Sequence, residues 1–170
     1  GGTTEMMLTL INREESKRAS RPVLPGFASS DLAEIARGAI AKCESSEELW
    51  TTAVNLGWTG IAVPEDRGGS GGEFTELATI AYVLGRCRFG APIAQSAIAN
   101  RVMALAGLDV DISVPRILVD ESSVVVSRVA GKLVVDGTIA NVPWAGFAQE
   151  IVLIARVDGE SALIRIEPDS

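Results

Sequence analysis

Leu56-Gly57-Trp58-Thr59-Gly60-Ile61-Ala62-Val63-Pro64-Glu65 runs into a glycine cluster, Gly68-Gly69-Ser70-Gly71-Gly72, and separates two segments of helical periodicity. Before it, Ser45-x-x-Glu48 has the form of a capping box, and Leu49, Trp50, Ala53 and Val54 continue a helix. Gly57 is placed to end that helix in the left-handed region. Ile61 to Val63 predicts a short extended link closed by Pro64. After the cluster, Leu77, Ile80, Ala81 and Leu84 recur at i, i+3, i+4 and i+7, the mark of an amphipathic helix. The glycines raise a phosphate cradle as one reading, because bare backbone lets N–H groups approach an anion. No Gly-Lys-Ser/Thr follows, and Phe74 stands where a dinucleotide pattern would need a third glycine. We read the cluster as a turn between helices.

Outward from this core, Asp31-x-x-Glu34 has the form of another capping box, followed by an apolar stripe of Leu32, Ile35, Ala36 and Ala39. Pro92 suits the first turn of a further helix, with Ile98, Val102 and Leu105 as its apolar face and Gly107 as its end. From Pro115 the period changes. Strands are predicted at Ile117–Val119, Val124–Val129, Lys132–Val135, Ile151–Val157 and Ala162–Ile166, with Asp158-Gly159 as a tight hairpin turn between the last two. Helices first and strands afterwards predict an α+β fold. The expected organisation is an N-terminal extension over 1–26, a helical domain over 27–107, and a small antiparallel β-domain over 108–170.

Composition removes several function classes. Fifteen basic residues stand against 22 acidic ones, a net charge of −7, which argues against nucleic-acid binding and against a polybasic membrane contact. No apolar run approaches the roughly 20 residues that span a bilayer. Gly1 to Arg21 lacks the basic-then-apolar order of a signal peptide, so the expected location is cytoplasmic. The two cysteines, Cys43 and Cys87, match no metal spacing and are read as free thiols, so no metal site is assigned. Histidine is absent, which excludes a His base or a Ser-His-Asp triad within these residues. The carboxylate pairs Glu47/Glu48 and Glu65/Asp66 suit a helix first turn and a structural link better than acid–base work. Trp50, Trp58 and Phe74 are expected to pack in the core.

Taken together, Leu49-Trp50, the Leu56–Glu65 link, the glycine cluster, Leu84-Gly85-Arg86, Ala91-Pro92-Ile93 and Ser96 resemble the N-terminal domain of acyl-CoA dehydrogenases, in order and spacing, over about 45–107. Gly131-Lys132-Leu133 with Gly137, and Ala148 with Ile151 to Ala155, resemble part of that family's middle β-domain. The resemblance implies oxidation of an acyl-CoA thioester by FAD, with a glutamate of a C-terminal helical bundle removing the α-proton. It implies that Gln95, Ser96 and Ala99 face the acyl chain. The family's Trp-Ile-Thr flavin contact falls on Asn141, Val142 and Pro143, so Val142 and Pro143, with Trp144 as a replacement aromatic, are the implied cofactor contacts. The other flavin-contacting loop has no counterpart between Gly107 and Arg128, and no catalytic base is matched before Ser170. Three functions follow: a dehydrogenase whose base lies elsewhere, a non-catalytic partner of a heteromeric dehydrogenase, or an acyl- or CoA-binding module. A homodimer or a heteromer with another dehydrogenase chain is expected. In the family the bundle covers part of this region, so the Ile98/Val102/Leu105 face and the Val124–Val126 strand are expected to lie exposed here.

Overall fold

The computed structural model describes residues 30–120, 124–157 and 160–168. The extension over 1–26 and the Asp158-Gly159 turn lie outside them.

Four helices come first: α1 (Asp31–Ile40), α2 (Ser46–Asn55), α3 (Phe74–Leu84) and α4 (Ile93–Leu105). Ser30 caps α1, its hydroxyl accepting from the Ala33 N–H, so the cap lies one residue before the expected Asp31. Ser45 caps α2 as expected. Its Glu48 reaches past the cap to the Glu44 N–H, at 2.8 Å. Gly57 takes φ 72° and ends α2, as its position implied. The predicted extended link is instead a pair of tight 3-10 turns, Trp58–Gly60 and Glu65–Arg67, with buried Ile61, Ala62 and Val63 between them. The cause lies in the glycine cluster. Ser70, Gly71 and Gly72 donate their N–H groups to the carbonyls of Gly60, Val63 and Ile61, folding the loop back onto the link. A Cβ on Gly69 would lie 2.1 Å from the Val63 carbonyl oxygen, so only glycine fits there.

The helical core forms around Ala33, Ala36, Leu49, Trp58, Ile80 and Ile93. α1 therefore buries a face rotated from the expected stripe, and Ile35 is 59% exposed. Of the three aromatics expected inside, Trp58 is buried, Trp50 is half-buried with its ring edge-on to Phe147 at 5.8 Å, and Phe74 is exposed at the start of α3. Leu77 and Ile80 face the core as the spacing predicted.

Five strands follow at the expected places: β1 (Arg116–Asp120), β2 (Val125–Val129), β3 (Lys132–Asp136), β4 (Glu150–Val157) and β5 (Glu160–Ile166). β4 and β5 pair antiparallel, Val157 opposite Glu160, and β2 and β3 form a separate antiparallel ribbon. The α+β class holds. Within it, β1 runs parallel to β4, so the three-stranded sheet in the order β1-β4-β5 is mixed rather than wholly antiparallel. A parallel pair requires a long crossover, and the segment carrying β2 and β3 supplies it.

Candidate functional site

α4 lies against β1, and a hydrogen-bonded polar cluster joins them. Ser96 is fully buried; its Oγ accepts from the Arg116 N–H at 2.9 Å and donates to the Arg116 carbonyl at 2.8 Å. The Arg116 guanidinium, 2% exposed, donates from Nε to Glu150 Oε2 at 2.5 Å and from Nη1 to Asn100 Oδ1 at 2.8 Å and to the Asp111 carbonyl. Asn100 in turn donates to the Thr59 carbonyl at 2.9 Å, which ties α4 to the first 3-10 turn. A buried charge is tolerated only when it is paired and its donors are satisfied, and this arginine has both. The carboxyl of Asp111 is held below its ordinary range because the Ser113 hydroxyl, then the Ser113 N–H, donate to it. Its slight burial works the other way, and Arg116 adds a smaller attraction.

The first turn of α4 and the outer edge of β1 then bound a cleft of about 290 Å³, lined by Gln95, by Ile117 to Asp120, and by the 139–143 segment. Gln95, Val142 and Pro143, assigned separately from the sequence, meet in this one cleft. Ser96 and Ala99 do not join them. Ser96 spends its hydroxyl on β1, and Ala99 packs with Met103 and Val152 beneath the sheet. Both side chains are wholly buried, which leaves a ligand nothing to touch. Trp144 also stands apart. Its backbone has φ 65°, and its indole lies so close to Gly90 that a Cβ there would sit 2.3 Å from the ring.

A flavin dinucleotide asks for cations or free N–H groups at its pyrophosphate. Among the described residues, the only charged side chain lining this cleft is Asp120, a carboxylate, and the volume is at the low end for even a drug-sized ligand. The described residues therefore do not fit a whole FAD. The glycine cluster offers no cradle either, since its amides are already bonded to carbonyls. The cleft suits the apolar end of a chain, with the Gln95 amide at one wall. Among the described residues there is no cluster of metal-ligating side chains, and no helix is long and apolar enough to cross a membrane.

Sequence reasoning did not single out Arg116 and Glu150. The available signal was that each opens an apolar strand, Arg116 before Ile117-Leu118-Val119 and Glu150 before Ile151-Val152-Leu153, with opposite charges. In the parallel register they stand side by side.

Residues 14–109 match the family of the acyl-CoA dehydrogenase N-terminal domain. No curated protein matches the chain. Among solved structures, the ChsE4-ChsE5 complex from Mycobacterium tuberculosis is similar with a TM-score of 0.64 and 20% identity, over 83% of this chain and 48% of that one. A G363A variant of the Tcur3481-Tcur3483 steroid ACAD is similar with a TM-score of 0.62 and 19% identity, over 81% of this chain and 47% of that one. At those identities the likeness is one of fold, and this chain spans about half the length of either structure.

Proposed function

The chain belongs to the acyl-CoA dehydrogenase family, and from that premise we propose that it forms the acyl-facing wall of a flavin-dependent acyl-CoA dehydrogenase whose flavin site and proton-abstracting base lie beyond the residues described. The observation that carries this reading is the meeting of Gln95 with Val142 and Pro143 in one cleft beside β1. Gln95 supplies a polar group for orientation, and the strand edge supplies an apolar wall. The buried Arg116 cluster holds α4 and β1 in fixed relation, so the wall is rigid. Ser96 then serves the site as a brace rather than as a contact.

Photo-crosslinking tests the proposal. An acyl-CoA with a diazirine at the end of its acyl chain is irradiated with the assembled enzyme, and the labelled peptides are mapped. Adducts on Gln95 or within 141–143 support the reading. Labelling confined to other segments overturns it.

A second reading is favoured by one observation: a solved structure of similar fold is described as a complex of two chains. In that reading the present chain is the non-catalytic partner, and FAD is held by another member of the family. Purification of the native assembly and assay of each separated chain for bound flavin decides between the two. Flavin retained on the native polypeptide that contains these residues, outside the segment described, argues for the first, and flavin retained wholly on a companion chain argues for the second.

A further inference from the structure

A larger cleft, about 400 Å³, opens where the C-terminal ends of α1 and α3 meet, and shares no lining residue with the Gln95 cleft. Its floor is apolar: Ile40 and Val83 are buried, and Phe89 is half-buried. Its rim carries Arg37, which is already engaged in an interaction of its own, and Arg86 and Arg88. The Arg86 guanidinium lies over the Tyr82 ring at 4.8 Å, and that of Arg88 over the Phe89 ring at 5.4 Å. Stacking of this kind uses the face of the guanidinium and leaves its N–H edge free to bind a planar anion. Among the described residues, neither Arg86 nor Arg88 has a carboxylate partner and no acidic side chain lines the cleft. Two helix C-termini point here, each equivalent to roughly half a negative charge, so together they offset about one of the two charges carried by Arg86 and Arg88 and leave the rim positive. Cys43 and Cys87, separated in sequence by α2 and α3, both line this same cleft as free thiols.

We propose that this cleft binds a small apolar carboxylate, with the carboxylate on Arg86 and Arg88 and the apolar body on Ile40, Val83 and Phe89. The site is independent of the proposed acyl-facing wall and needs neither flavin nor catalysis.

The two thiols give a local readout, since they are the only cysteines in the chain. The full chain is alkylated with iodoacetamide, a neutral reagent, in the presence of increasing 4-phenylbutyrate, and modification of each cysteine is followed by peptide mass spectrometry. Saturable slowing at both cysteines is expected, weaker at high salt, with the neutral 4-phenylbutyramide giving little protection. Because exposed charge pairs contribute up to about 1 kcal/mol each, the Arg86→Met/Arg88→Met variant should bind more weakly by up to about 25-fold, and each single variant by up to about fivefold. Both arginines are exposed, so the variants keep the fold, which circular dichroism verifies. Absence of protection by 4-phenylbutyrate overturns the proposal. So does equal protection by the amide, or unchanged protection in the folded double variant.

Discussion

Arg116 heads the fully buried side chains by size, and its position explains much of the local architecture. Its guanidinium faces one carboxylate, one amide oxygen and one backbone carbonyl, each from a different part of the chain. Removing one partner of such a pair leaves the other charge buried and unpaired. We expect Glu150→Ala to cost about 3 kcal/mol, the lower end for broken buried pairs, because Asn100 and Asp111 still bind the guanidinium. A urea unfolding midpoint unchanged from wild type would contradict this. Replacing both charges, Arg116→Met with Glu150→Leu, should cost less than Glu150→Ala alone, since no orphan charge remains. Gly69 is a second residue with a sharp requirement. Its backbone lies against Val63, and Gly69→Ala forces a Cβ onto the Val63 carbonyl. The link must shift, so a loss of about 2 kcal/mol is expected, as for an overpacked core, again read from the urea midpoint. The first effect depends on atoms distant in sequence, the second on a carbonyl six residues back. The glycine cluster was readable as a turn, but its close approach to the Val63 carbonyl was not. The arginine was not readable, because one charge at the head of an apolar strand carries no sign of where its partner lies.

The four helices of the described region and its five strands were legible as elements, since periodicity and turn residues act locally. Their faces were less so. α4 shows why. Ile98 and Leu105 form an apolar stripe in the sequence and, as expected of that face, they are 39% and 67% exposed, but the face buried in their place, with Ser96, Ala99, Asn100 and Met103, was not foreseen. A stripe is read from hydrophobicity alone. Here the buried face was chosen by hydrogen bonds to β1 and to Thr59, and small side chains let the sheet approach. The Gln95 cleft shared this mixed legibility: the residues on it were named from the family pattern, but their common wall depends on the parallel β1–β4 register, which no local signal records. The β2–β3 turn was signalled only by the resemblance of Gly131-Lys132-Leu133 to the family's hairpin. Ala130 and Gly131 take φ 50° and 80°, the two positive values of a type I′ turn. Alanine is a poor residue for the first position, and asparagine is a favoured one. Ala130→Asn should therefore stabilise the ribbon by about 0.5–1 kcal/mol, provided that ribbon and sheet unfold together. Thermal melting followed at 218 nm checks this at the same time as urea denaturation, and a lower melting temperature would show that the turn is set by contacts beyond its own dihedral angles.

At the scale of the whole molecule, apolar surface is left uncovered in the described region. The β2–β3 ribbon exposes Val125 by 64%, Val129 by 55% and Val134 by 43%, all on one face in the antiparallel register, while Leu133 and Val135 are partly exposed on the other. Of this ribbon only Val126, in the run expected to lie exposed, is instead buried, in the core it shares with Leu153. A two-stranded ribbon has little stability alone and presents unpaired strand edges. Monomeric proteins seldom expose contiguous apolar patches beyond a few hundred Å². Burial at roughly 25 cal/mol per Å² makes covering such a surface favourable once the cost of association is met. The net charge of −7 opposes self-association only weakly at physiological salt, where separated charges are screened within about 8 Å. The purified chain is therefore expected to run above its monomer mass of 17.8 kDa at micromolar concentration. Multi-angle light scattering after size exclusion reads that mass directly. Val129→Lys with Val134→Lys places two like charges on the exposed face and leaves Val126 in the core, so this variant should shift the population to monomer while preserving the circular dichroism spectrum. A variant that keeps the wild-type mass would place the association on another surface, and the exposed Ile98/Leu105 edge of α4 would be the next to charge.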